Sequence, residues 1–298
     1  MFRKLGLLAI AALVLAGCAQ AEPKPWTAGT GPIKIVASTN VWGSVANLVA
    51  GDTATVTALV YNSNQDPHSF EASARDQLAV NDADIVIMNG GGYDDFIEKM
   101  VNADPTPAIL LNAYMAAGED DGRNEHIWYD VDQVGDVAAV IAGAIEAVDK
   151  TKADQLWASL DSFRVELAKR KQELTAIAES GACGKVFAPE PLINYLLEDA
   201  GCENVTPTEF SDAIEEERDV SPAVMKKASQ ILAAGVEFMA VNVSVSSPQI
   251  EQLQNEQAGS FAVYGFGELL GQDPDTGEYD GDYLDLLDGA IQMIGGKF

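Results

Sequence analysis

Short apolar runs typical of buried strands alternate with helical patterns along the first half of the chain. Four such runs are predicted as strands, at 33–38, 54–60, 84–89 and 107–113. Helical patterns separate them at 41–50, 74–83 and 93–101. Alternating strands and helices imply βαβ units and a parallel sheet, and the right-handed crossover rule places helices on both faces.

Two longer helices come after this first unit. Apolar residues recur at helical spacing over 131–148, and a second helical pattern covers about 152–179. The second stretch contains no Gly or Pro and carries Leu156, Leu160 and Phe163 on one face. A helix of about 28 residues is ~42 Å long. Because this exceeds the needs of one small domain, we interpret it as a rigid connector.

The second half repeats the alternation. Predicted strands lie at 184–190, 237–243 and 260–266. Predicted helices lie at 191–200, at a segment capped by Ser221 with Pro222 in its first turn, at 247–258 and near 283–294. The predicted fold class is therefore α/β, with two Rossmann-like lobes of parallel sheet joined by a long rigid interdomain helix. Ligands of such folds bind where the carboxyl ends of the strands meet in a cleft.

The N-terminus carries an export pattern. Two basic residues precede an apolar run from Leu5 to Leu15, which is typical of a secretory signal. The adjoining Leu15-Ala16-Gly17-Cys18 matches a lipobox, in which the Cys is lipidated after cleavage; the alternative is a plain signal peptide. We predict a signal peptide (1–17), a lipidated tether (18–30), an N-terminal lobe (31–150), a linker helix (151–180) and a C-terminal lobe (181–298).

The net charge limits the classes of partner, and the cysteine content limits the kinds of metal site. The formal net charge is −28, which disfavours nucleic acid and anionic lipid and is compatible with attraction of divalent cations or with a merely solvated surface. Besides Cys18, the chain has Cys183 and Cys202. Because disulfides persist outside the cytoplasm, we expect these two to pair. The alternative, a thiolate metal site, needs further Cys or His, which that half lacks.

The candidate chemistry rests on two histidines and two glutamates. His68 lies in the loop after the strand that ends at Val60, and His126 lies just before the 131–148 helix. Glu190 comes after the strand that opens the second lobe, and Glu268 after the strand at 260–266. Imidazole and carboxylate together suit zinc, manganese or iron. Taken singly, each of these residues could equally be a solvated loop residue or a cap.

Two motifs resemble those of the solute-binding lipoproteins of zinc and manganese ABC importers. DPHSFEASARD (66–76) is similar to that family's Asp-Pro-His-Ser-Tyr/Phe-Glu-Pro motif, and ADIVIMNGGGYDDFIEKM (83–100) is similar to the segment next along the chain in the family. NEHIWYD (124–130) is similar to the family's His-Val-Trp-Leu/Tyr-Asp motif. The resemblance extends over nearly the whole chain after the tether.

The resemblance implies a set of metal ligands. The first two fall on His68 and His126, and the third falls on Glu190, five residues before Tyr195. The fourth is usually Asp and falls here on Glu268, with Asp273, Asp275 and Asp280 as alternatives. Zinc receptors often carry a His-rich loop between the first two ligands. Here that stretch, 116–125, is acidic, and Glu119, Asp120 and Asp121 are either metal-collecting or merely solvated.

The implied function is a receptor that captures one divalent metal ion, Zn²⁺ or Mn²⁺, as transported ligand and delivers it to an ABC permease. We expect a monomer, lipid-anchored on the extracytoplasmic face of the cell membrane, with no catalytic activity. The alternatives are a secreted metallohydrolase, which would need a general base and a substrate pocket, and a surface adhesin built on the same fold.

Overall fold

The computed structural model describes residues 32–62, 65–118, 123–245, 247–271 and 281–296. The predicted signal peptide, Cys18 and the tether lie outside the described residues. So do Glu119, Asp120 and Asp121 of the acidic loop and the alternative ligands Asp273, Asp275 and Asp280. Within the described ranges, no helix is long and apolar enough to cross a membrane.

The first lobe is built on a four-stranded parallel sheet. Its strands are β1 (Ile33–Thr39), β2 (Ala54–Val60), β3 (Ile85–Met88) and β4 (Ile109–Asn112), in the order β2-β1-β3-β4. Its helices are α1 (Asn40–Ala50), α2 (Ala74–Asn81), α3 (Phe96–Ala103) and α4 (Ala113–Ala116). All four residues of β3 are buried, as expected for an inner strand covered on both faces. Because all four strands run parallel, their carboxyl ends lie at one edge of the sheet.

Two long helices connect the lobes. They are α5 (Val131–Val148) and α6 (Ala153–Ser180). The predicted apolar face of α6 is buried, including Leu156, Leu160 and Phe163. The helix packs against α5 and α1 on one side of the molecule. It ends at Gly181, whose φ of 63° is left-handed and suits a residue without a Cβ.

The second lobe repeats the architecture of the first. Its strands are β5 (Lys185–Phe187), β6 (Glu203–Asn204), β7 (Phe238–Asn242) and β8 (Ala262–Phe266), all parallel, in the order β6-β5-β7-β8. Its helices are α7 (Asn194–Asp199), α8 (Thr208–Glu215), α9 (Pro222–Ala234), α10 (Pro248–Glu256) and α11 (Tyr283–Ile294). The predicted α/β class with two parallel sheets is confirmed.

Local differences from the prediction have local causes. The predicted strand 184–190 ends at Phe187, and the predicted helix 191–200 begins only at Asn194. The prolines on either side of Glu190 disfavour both ladder pairing and helix, so these residues form a turn. Strand β6 was not predicted, because its two exposed residues carry no hydrophobic pattern. Helices α4 and α8, also unpredicted, are short.

Polar contacts tie the lobes together beside the cleft. Asn40 donates to the carbonyl of Leu270 at 3.1 Å and accepts from its N–H at 3.0 Å. The Tyr283 hydroxyl, at the start of α11, donates to the carbonyl of Trp128 at 2.6 Å. Residues of both lobes belong to one continuous apolar core. The carboxyl ends of the two sheets therefore face each other across a cleft, and the packing between the lobes fixes the width of that cleft.

Candidate metal centre

His68 stands on a tight turn after β2. The Asp66 carboxylate accepts the His68 N–H at 2.9 Å and the Ser69 hydroxyl at 2.8 Å, which closes the turn. This local pattern explains why Asp, Pro, His and Ser occur together in the sequence. The His68 side chain is 31% exposed, so the ring borders the cleft and remains accessible from solvent.

His126 is the buried counterpart of His68. Its side chain is 1% exposed and precedes a 3₁₀ turn at Ile127–Tyr129. Nδ1 donates to the Asn124 side-chain oxygen at 2.7 Å, which leaves the lone pair of Nε2 directed into the cleft. Burial, with a smaller contribution from His68, lowers the pKa of His126 to about 3. The ring is therefore neutral at physiological pH, as a metal ligand must be.

Aromatic rings support both imidazoles. The Tyr93 ring meets His68 edge-on at 4.8 Å between centroids and lies 5.9 Å from His126. Trp128 lies 5.1 Å from His126 and 4.8 Å from Tyr93. Such edge contacts fix ring orientation, so the first lobe presents both nitrogen donors on a packed wall.

Glu190 and Glu268 lie buried on the opposite side of the cleft. They are 6% and 3% exposed, respectively. The Asn242 side chain donates to Glu268 and also contacts Glu190, and the Tyr93 hydroxyl donates to Glu268 at 3.1 Å across the lobes. Burial raises the pKa of each carboxyl to about 7, against the opposing effect of the Asn242 hydrogen bonds.

Glu215 was not singled out from the sequence. It is the last residue of α8, and its Oε1 lies 3.7 Å from His126 Nε2 and 4.0 Å from His68 Nε2. One ligand atom from each of these three residues lies within 4.8 Å of the other two. Burial, and after it the charges of Glu125 and Glu190, raises the pKa of Glu215 to about 9. The segment around it, DAIEEERD, offers only consecutive acids without a motif.

The structure thus places the five residues in two groups that overlap at one cavity. His68, His126 and Glu215 form the compact group, and Glu190 and Glu268, at the strand ends of the second lobe, line a cavity together with His68 and Glu215. The cavity holds about 30 Å³, roughly the space one water molecule occupies in the liquid. This space is sufficient for a metal ion.

The chemistry of the donors fits a divalent transition metal. Two imidazoles supply borderline nitrogen ligands, and three carboxylates supply the negative charge that a dication requires. Because the pKa values of these buried acids are raised, a binding cation competes with protons for them. The disulfide between Cys183 and Cys202 is present and lies at the start of β5, outside this cavity.

The sequence of this chain is similar to those of described metal-binding proteins. Residues 35–295 match the family described as ZnuA, zinc-uptake complex component A, periplasmic. A manganese-binding lipoprotein, MntA, of Halalkalibacterium halodurans is 28% identical over 58% of this chain, and a putative metal-binding protein of Thermotoga maritima is 33% identical over 32%. The matched segments span 60% and 34% of those two relatives.

Solved structures share the two-lobed fold. The periplasmic zinc-binding protein TroA of Treponema pallidum superposes with a TM-score of 0.73 at 16% identity, covering 90% of this chain and 99% of its own. FpvC of Pseudomonas aeruginosa in complex with Mn²⁺ gives 0.70 at 21% identity, covering 90% and 100%. These likenesses establish the fold, and the match over 35–295 establishes the predicted kinship: the chain belongs to the ZnuA family of periplasmic zinc-uptake components.

Proposed function

We propose that this protein is the extracytoplasmic receptor of an ABC importer, capturing one divalent transition metal ion and delivering it to the permease. The observation that carries the proposal is the convergence of one ligand atom each from His68, His126 and Glu215 within 4.8 Å of one another, beside a small cavity that Glu190 and Glu268 also line. Family membership supports the same role.

The proposed ligands are His68 and His126 from the first lobe and Glu190 and Glu268 from the second. Ligands divided between lobes make metal occupancy depend on the separation of the lobes, which a permease can sense. The long helix α6 and the contacts at Asn40 restrict that separation to small adjustments. Release then requires only a slight opening of the cleft.

The cargo is Zn²⁺ or Mn²⁺. The family is described by zinc uptake, whereas the relative from H. halodurans is named for manganese. Intrinsic affinity at mixed nitrogen and oxygen sites favours zinc over manganese. Two carboxylates in place of imidazoles shift the donor set towards manganese, because that ion prefers oxygen ligands.

Cys18 is the proposed lipid attachment site, which would keep a monomeric receptor beside its permease on the outer face of the cell membrane. The name of the H. halodurans relative, a lipoprotein, supports this placement. Catalysis is not part of the proposal, because the family that the chain matches is described by metal uptake.

Elemental analysis with competitive titration of Zn²⁺ and Mn²⁺ tests the proposal. We expect one ion per chain with submicromolar affinity, and loss of that ion in the variant His68→Ala/His126→Ala. Asp82→Ala, an exposed acid that pairs with Lys34, is the control and should bind like the unsubstituted protein. Failure of both metals to bind below micromolar concentration, or hydrolysis of esters or peptides with an exchangeable metal, would overturn the receptor assignment.

A further inference from the structure

Glu215 lies at a position where a carboxylate destabilises the folded protein. It ends α8, where the negative end of the helix dipole repels a carboxylate. Its side chain is only 17% exposed, although buried acids normally have a cationic partner. In the described part of the chain, both ion-pair contacts of Glu215 are with imidazoles, and neither is with Lys or Arg.

One oxygen of Glu215 is also unsatisfied. Oε1 is inaccessible to solvent and accepts no hydrogen bond from the described residues. A buried acceptor without a donor destabilises the folded state, so such an atom calls for a missing partner. That same oxygen is the one directed at His68 and His126, which places the missing partner between the three side chains.

The separations suit a shared ion. Two ligand atoms that each lie ~2.1 Å from one metal can be at most ~4.2 Å apart. The distances from Glu215 Oε1 to His126 Nε2, 3.7 Å, and to His68 Nε2, 4.0 Å, both meet this limit. Glu190 and Glu268, by contrast, are held by the Asn242 amide on the other side of the cavity.

We propose that Glu215 is a further metal ligand, delivered by the C-terminus of α8 and joining the two imidazoles. The inference rests on the proposed function, because it adds a donor to the same ion. Together with Glu190 and Glu268 it raises the number of protein ligands above the four of a tetrahedral zinc site and makes the set rich in oxygen. Glu215 therefore shifts selectivity towards Mn²⁺, which takes more ligands and prefers carboxylates.

The experiment compares Glu215→Gln with Glu216→Gln in the full chain. Both variants replace an ionisable carboxyl group with a neutral amide, but Glu216 is exposed and pairs with Arg218, so it controls for the general electric field. Mn²⁺ and Zn²⁺ affinities are measured by competitive titration. The absorption spectrum of bound Co²⁺ reports whether the ion has four ligands or more. Thermal unfolding of the metal-free proteins verifies that each variant folds.

We expect Glu215→Gln to weaken Mn²⁺ binding by at least ~10-fold, Zn²⁺ binding by less, and to move the Co²⁺ spectrum towards four-coordination. Glu216→Gln should match the unsubstituted protein in all three. If the unsubstituted protein binds metal but Glu215→Gln leaves the spectrum unchanged, whatever its affinity, Glu215 is not a ligand. If the unsubstituted protein binds no metal, the proposed function itself fails.

Discussion

The two sides of the cleft prepare their donors in opposite ways. The first lobe carries two imidazoles, with His126 fixed by Asn124 and packed against Trp128. The second lobe supplies acids, with Glu190 and Glu268 buried beside each other and their pKa values raised to about 7. One wall holds a buried imidazole whose pKa is lowered by burial, whereas the other holds carboxyl groups whose charged form is disfavoured by burial until a cation binds.

This asymmetry bears on the proposed function, which requires both affinity and release. A preorganised nitrogen pair gives an ion a fixed point of attachment at little entropic cost. A bound cation stabilises the ionised form of the buried carboxylates, so binding at the second lobe competes with protons. Substitutions in the two walls should therefore differ in how strongly they alter metal binding.

Removing the buried imidazole should have the largest effect. We expect His126→Gln to reduce metal affinity by more than ~100-fold. This exceeds the roughly 10–100-fold loss of affinity that is typical when a residue hydrogen-bonded to a ligand is removed. Gln nearly preserves the volume, which limits cavity formation among the aromatic rings. Competitive titration measures the affinity, and thermal unfolding of the metal-free variant verifies the fold. Affinity within about tenfold of the unsubstituted protein would contradict a ligand role for His126.

Removing the support of the acidic wall should have a smaller effect. Asn242→Leu keeps the size of the side chain but removes the amide that contacts both Glu190 and Glu268. We expect metal affinity to fall about 10–100-fold, the range typical of residues that orient ligands. Asn204→Leu, at an exposed position on strand β6 of the same sheet, is the control. Equal affinities in the two variants would show that Asn242 does not position the carboxylates.

The acidic wall should also make stability depend on pH in the metal-free protein. Glu190, Glu268 and Glu215 have folded pKa values of about 7, 7 and 9, above their ordinary value of 4.5. The folded state therefore binds more protons than the unfolded chain, and stability falls as pH rises through these values.

His126 acts in the opposite direction. Its pKa falls from 6.5 to about 3 on folding, so its contribution to stability rises with pH up to about 6.5 and is constant above. Between about pH 6.5 and 9 only the acids change. We therefore expect the unfolding free energy of the metal-free protein, measured in denaturant with a chelator, to decline over this range. Glu215→Gln should flatten the decline above about pH 7, because Glu190 and Glu268 are by then ionised in both the folded and the unfolded state. An equally steep decline in that variant would refute its assignment to Glu215.

Breaking the disulfide should affect the cleft least. Replacing Cys183 and Cys202 by Ser opens a link between residues 19 positions apart. The loop-closure argument predicts a loss of ~3 kcal/mol in unfolding free energy. Metal affinity should stay within about twofold of the unsubstituted protein, because neither Cys borders the cavity between the ligands. A larger change in affinity would mean that the second lobe is coupled to the cleft through this link.

Sequence alone predicted the parts of the molecule that depend on local pattern. The strands at β1 and β2 and the helix α6 obey apolar periodicity, and their observed bounds differ from the predicted ones by no more than a residue or so. His68 was recognisable because the turn that Asp66 closes requires a local Asp-Pro-His-Ser sequence, which is visible without tertiary contacts. Such features need no knowledge of distant contacts.

The parts that were missed depend on tertiary contacts. Helix α8 is short, and the acids at its end look like a solvated run in the sequence. Only the packing of the two lobes buries Glu215 against His126 and His68, which lie 89 and 147 positions earlier in the chain. The same holds for the bond from Tyr93 to Glu268, which joins opposite lobes.

The most direct test is anomalous diffraction from crystals of the protein loaded with Mn²⁺ and, separately, with Zn²⁺. The account predicts a single peak of metal scattering within bonding distance of His68 Nε2 and His126 Nε2, with carboxylate oxygens from the second lobe completing the coordination. A metal bound elsewhere, or one that contacts neither imidazole, would contradict the account.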